Sequence, residues 1–119
     1  MLRTVALCFG FGLAVIVTAA GDMAGISTAP HALQIFVTDL NNHRIVRTND
    51  MTGAGWATLG SQGAGVNQFN EPKAIFVDEA GRIFVADFGN TRVVRMDNLM
   101  GAGWTTLRTP VEPRGIFVH

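Results

Sequence analysis

Beyond residue 32 the apolar residues come in short unbroken runs, Ile35-Phe36-Val37, Ile75-Phe76-Val77 and Ile83-Phe84-Val85-Ala86, set between clusters of Gly, Asn and Asp. Their spacing fits no amphipathic helix, and strict alternation would mean a strand with one wet face. A run that is apolar at consecutive positions predicts a strand covered on both faces. In one stretch the elements follow in order, with strand a from Lys73 to Asp78, a tight turn through Glu79-Ala80-Gly81, and strand b from Arg82 to Asp87. Phe88-Gly89-Asn90 turns into strand c, Thr91 to Met96, and a second turn ending at Gly101-Ala102-Gly103 leads into strand d, Trp104 to Leu107. Glycine suits such turns because it adopts positive φ without a steric cost.

The series occurs twice. Ile35-Phe36-Val37-Thr38-Asp39-Leu40-Asn41-Asn42-His43-Arg44-Ile45-Val46-Arg47 aligns without gaps with Ile83-Phe84-Val85-Ala86-Asp87-Phe88-Gly89-Asn90-Thr91-Arg92-Val93-Val94-Arg95, at an offset of 48 residues. Gly53 to Leu59 meets Gly101 to Leu107 at the same offset, while Glu71 to Val77 meets Glu112 to Val118 at an offset of 41. The seven-residue difference falls between Gly60 and Asn70, a Gly/Ser/Gln/Asn-rich stretch where added loop length costs little. Periods of roughly 40–50 residues built from short strands point to propeller blades rather than helical solenoids.

The pattern Gly-Arg-Ile-Phe-Val-Ala-Asp-x-x-Asn-x-Arg-Val-Val-Arg at Gly81 to Arg95, preceded by Glu-Pro-x-x-Ile-Phe-Val-Asp at Glu71 to Asp78, resembles the NHL repeat. The first copy reads Asn42-His43-Arg44-Ile45 at the matching place, and the resemblance runs from Leu33 to Val118. It implies an all-β fold of β-propeller blades, each of four antiparallel strands, with about two blades present and the propeller incomplete. Residues 33–59 are expected to supply strands b to d of a first blade, 73–107 a second blade, and 114–119 the strand a of a next or swapped blade. Two blades enclose no channel, since propellers use roughly four to eight. Either the chain is a fragment of a longer propeller, or several chains form a ring in which each C-terminal strand a completes a neighbour's first blade.

Residues 1–20 stand apart. Arg3 gives a short positive start, Thr4 to Ala20 is uncharged and mostly apolar, and Thr18-Ala19-Ala20 ends the run in small residues. This predicts a signal peptide in helical form followed by a linker over 21–32, with an uncleaved N-terminal anchor as the alternative. Either way the remainder leaves the cytoplasm, for the periplasm or the exterior, and a membrane is a partner only if the segment stays attached. Cys8, the sole cysteine, lies inside the segment, so a cleaved chain has no disulfide, thiol nucleophile or cysteine metal ligand.

Nine acidic residues balance nine basic ones, which removes the simplest argument for a nucleic-acid partner. Asp39 and Asp87 each precede an Asn by three residues, Asn42 and Asn90, and an Arg by five, Arg44 and Arg92. This is a repeated polar site or a turn cap, and the cap is favoured because Asp and Asn bond locally in turns. Trp56 and Trp104 open strand d and are expected in blade packing. Arg47 and Arg95 recur too, and surface pairing is expected of them rather than an anion-attracting ring. His31, His43 and His119 are scattered, and no motif for metal, phosphate, dinucleotide or acyl-transfer chemistry is present. No catalytic, cofactor-binding or metal-binding residue is therefore assigned, and no cofactor is expected.

The expected function is an extracytoplasmic binding or scaffolding module for a protein, glycan or small-molecule ligand. Proteins similar to this family include lyases and hydrolases, so a fragment of a propeller enzyme whose catalytic blades are missing is the alternative reading.

Overall fold

A computed structural model describes residues 2–9, 13–20 and 33–118, with 2–9, 13–20 and residue 33 as backbone. The strands are β1 (Leu2–Phe9), β2 (Leu13–Ala20), β3 (Leu33–Asp39), β4 (Arg44–Thr48), β5 (Ala57–Leu59), β6 (Pro72–Val77), β7 (Ile83–Asp87), β8 (Arg92–Met96) and β9 (Thr105–Arg108). They form two sheets, β1-β2-β3-β4-β5 and β6-β7-β8-β9, each antiparallel throughout. The repeat is visible in the register. β3 pairs with β4 from Ile35↔Thr48 to Asp39↔Arg44, and β7 pairs with β8 from Ile83↔Met96 to Asp87↔Arg92. The three strands β3-β4-β5 and the three strands β7-β8-β9 are thus copies of strands b, c and d.

The unbroken apolar runs are buried because each sheet covers the other. Ile75 and Val77 of β6 join Ile83 and Val85 of β7, Val94 and Met96 of β8, and Phe36 and Ile45 of the first sheet in one core. Val85 has no exposed surface, whereas Phe84 is only half-buried and stands opposite Arg95, whose aliphatic stem can cover it. Expected strand ends hold to within two residues. The segment Phe88-Gly89-Asn90, expected as a turn, is a single 3₁₀ turn, as is Leu40–Asn42.

Two expectations meet a different backbone. The run expected as a signal helix lies here as β1 and β2, with β2 paired to β3 where a strand a belongs. A short, β-branched apolar run is compatible with either state, and an unpaired β3 edge favours the strand. Residues 114–119 were expected to be a strand a, and over 112–118 the described backbone is not a strand. They lie beside β6, with the Phe117 ring 6.2 Å from that of Phe76 and the Arg114 guanidinium 5.5 Å from the Phe88 ring. The linker over 21–32, with His31, and the terminal His119 lie outside the described residues. Among the described residues no helix is long and apolar enough to cross a membrane.

The β6–β7 hairpin closes as expected on Gly81, whose φ of 82° lies in the left-handed region. Asp78 Oδ1 accepts from the backbone N–H groups of Ala80 and Arg82, and Oδ2 from Arg82 Nε at 2.6 Å. Partial burial pushes this carboxyl up, but the bonds from Arg82 and Ala80 together outweigh it and hold the group below the ordinary carboxylate value. A depressed folded value means the contribution is present above the ordinary value and lost as pH falls through the lowered one. Asp78→Asn should therefore cost up to about 1 kcal/mol at neutral pH, with the difference from the parent vanishing in acid, as urea melts across pH would measure. Val85→Asp places a charge in the core without a partner and should abolish the cooperative thermal transition seen by circular dichroism.

Candidate functional site

The b–c turns position the recurrent polar residues. Each 3₁₀ turn follows the Asp that ends strand b and is closed by a left-handed residue, His43 at φ 54° or Thr91 at φ 51°. That sharp reversal sets Asp opposite Arg in the strand register, so the two side chains meet.

In the second sheet the cluster is sealed. Asp87 is fully buried and accepts three bonds, from Asn70 N at 2.7 Å and from Asn90 Nδ2 and Arg92 Nε at 2.8 Å. Arg92 spends its remaining nitrogens on backbone carbonyls of the preceding loop: Nη1 on Ala64 at 2.7 Å, Nη2 on Gln68 at 2.8 Å and Gly65 at 3.3 Å. Asn90 Nδ2 reaches a fourth carbonyl, Gly63, at 2.7 Å. The loop thus held delivers Phe69, with no exposed surface, to the Trp104 ring at 5.5 Å, and Arg92 lies 5.7 Å from that same ring. Asp87 and Arg92 act as a clamp on the loop.

The first sheet carries the same residues in a looser setting. Arg44 Nε donates to Asp39 Oδ2 at 2.8 Å and Asn42 Nδ2 to both Asp39 oxygens, at 3.0 and 2.9 Å. The side chains of Arg44 and Asp39 remain 34% and 25% exposed, against 10% and 0% for Arg92 and Asp87. Among the described residues no loop lies over Arg44 as 63–68 lies over Arg92, and Trp56 is 59% exposed where Trp104 is packed.

The two units are joined at the base of the clamp. His43 Nδ1 accepts from Glu71 N at 3.1 Å, and Gly89 N donates to Asn70 O at 2.7 Å. Glycine is required at both ends of this joint. A Cβ on Gly60 would come within 2.8 Å of the His43 carbonyl oxygen and of Phe69, and one on Gly89 within 2.6 Å of the Asn70 side chain.

Asp87 has its donors around it and Arg92 its acceptors, so neither is poised as a base or a nucleophile's partner. Beside the clamp lies an open cleft of about 350 Å³ with Thr91, Thr106 and Arg108 on its wall, able to donate to a polar or anionic group. Arg95 pairs with Asp97 at 2.9 Å, as surface pairing predicts, while the Nε atoms of Arg47 and Arg95 are themselves buried. Among the described residues no group of three or more His, Cys, Asp or Glu is placed to hold a metal ion.

Gly60 to Asn70, expected to be a loop where added length costs little, is the segment that the clamp grips. Phe69, the one aromatic residue in that polar stretch, was the available signal. A scan against known protein families finds none that matches this chain, and a search of curated proteins finds none either.

Removing one partner of a buried pair leaves the other charge uncompensated, so Arg92→Ala should cost about 3–5 kcal/mol in urea denaturation. Arg44→Ala, at an exposed pair, should cost no more than about 1 kcal/mol. Arg92→Lys should fail to restore stability, because one ammonium cannot span a carboxylate and three carbonyls.

Proposed function

We propose that this chain is an exported NHL-type β-propeller module that binds or scaffolds a partner in the periplasm or outside the cell. The observation that carries the reading is where the recurrent polar residues go. Asp87, Asn90 and Arg92 are consumed in holding a loop, and their first-unit counterparts Asp39, Asn42 and Arg44 bond to one another. Motif residues spent in this way build a repeated frame, and the frame presents turns and clefts to a partner. The polar cleft with Thr91, Thr106 and Arg108 is one such surface.

Export is supported by Arg3, the uncharged run to Ala20 and the small residues Thr18-Ala19-Ala20. When the full chain is expressed in a bacterium, the product outside the cytoplasm should begin near Gly21 on N-terminal sequencing. A soluble cytoplasmic product retaining Met1 would refute export.

A further inference from the structure

We propose that the cleft beside the b–c turn of the second unit binds a small hydroxylated carboxylate, such as a sugar acid, with Arg108 taking the carboxylate. The proposal deepens the binding reading above and rests on it, and it does not depend on export.

Three pieces of backbone meet at the cleft: the clamped loop at Ala64, the turn at Gly89 to Thr91, and β9 at Thr106 and Arg108. The charges on its wall do not balance. Arg92 is answered by Asp87, which has no exposed surface, and by three loop carbonyls. Arg108 stands directly opposite Arg92 in the β8–β9 register and, among the described residues, takes part in no ion pair. No carboxylate lies on the wall to answer it. Like charges set opposite each other across a sheet are destabilising, and a bound anion relieves that. A single guanidinium in excess suits a monoanion, and its planar fork matches the two oxygens of a carboxylate.

The neutral groups on the wall suit hydroxyls. Thr106 and Arg108 are two residues apart on β9 and so share a face of the sheet. The hydroxyls of Thr91 and Thr106 can each donate and accept. Asn90 has both amide hydrogens committed, to the Gly63 carbonyl and to Asp87, so it can offer a ligand only its carbonyl oxygen. A cation thus stands beside groups that pair with sugar hydroxyls, around a space of about 350 Å³. That is the lower end of the range for small-molecule sites and fits one sugar-sized ligand.

The site belongs to one unit alone. At the 48-residue offset Arg108 answers to Gly60, Thr91 to His43 and Gly89 to Asn41. In the first unit His43 is spent on the Glu71 N–H, and a Cβ on Gly60 would run into Phe69. The repeated frame is built there with no cation at this place. Arg108 is therefore surplus to the frame and free to serve a ligand.

The test titrates the isotope-labelled full chain with D-glucuronate, D-glucose and inorganic phosphate, following backbone amide shifts by NMR. Glucuronate should move the amides of Thr91, Thr106 and Arg108, more weakly as salt is raised, and glucose should bind about tenfold less tightly or worse. Arg108→Gln should lower glucuronate affinity by about tenfold or more, and Arg108→Glu, which keeps a charge on the exposed strand, should abolish binding. Neither change should lower the thermal midpoint of the unliganded protein, because Arg108 has no partner to lose. A lowered midpoint with unchanged glucuronate affinity would show a structural arginine and overturn the proposal. Equal affinity for glucose and glucuronate, or tighter binding of phosphate at the same amides, overturns the carboxylate assignment and leaves the binding module standing. No shift with any probe overturns the site itself, while N-terminal sequencing of the exported product decides export separately.

Discussion

A carboxylate with no exposed surface is the constraint on which the second unit depends. Burying an ion of that kind costs several kcal/mol unless its lone pairs are met, and Asp87 meets the cost with three donors from a loop, a turn and a neighbouring strand. Arg92, drawn in as the charge partner, is left with nitrogens that also need acceptors, and a β-sheet has none to spare at its end. The loop from Gly63 to Gln68 turns its carbonyls inward to supply them. Once that loop is fixed, Phe69 must enter the core and Trp104 gains a ring to pack on. The chain of consequences runs from one buried charge to the junction between sheets.

The same motif in the first unit shows what the constraint is worth when its setting changes. Asp39, Asn42 and Arg44 keep their mutual bonds but stay partly exposed, where solvent screening leaves the pair contributing little. Identical residues thus serve as a clamp in one unit and as a local turn brace in the other. The difference lies in whether a segment arrives to be held.

Strands apolar on both faces create the second demand. Two sheets stacked together cover one face of each, and any further face needs another layer or another chain. β2 on the edge of β3, and residues 112–118 beside β6, are two expressions of that demand.

Much of the fold could be read directly. Gap-free repetition placed strands b, c and d twice, because apolar runs and turn residues are local features that recur in register with the backbone. The cap role of Asp and Asn was legible for the same reason, since it acts over three to five residues. The reach of Arg92 to carbonyls 24 to 28 positions earlier was not, and neither was the structural part played by Gly60 to Asn70. Backbone carbonyls carry no side-chain signature, so a loop that serves through them looks like filler in a sequence. By itself, then, the sequence determined the repeat, its strands and its turns. The tertiary structure alone decided which of two identical Asp-x-x-Asn-x-Arg motifs is buried, because burial depends on what lies above the motif and not on the motif.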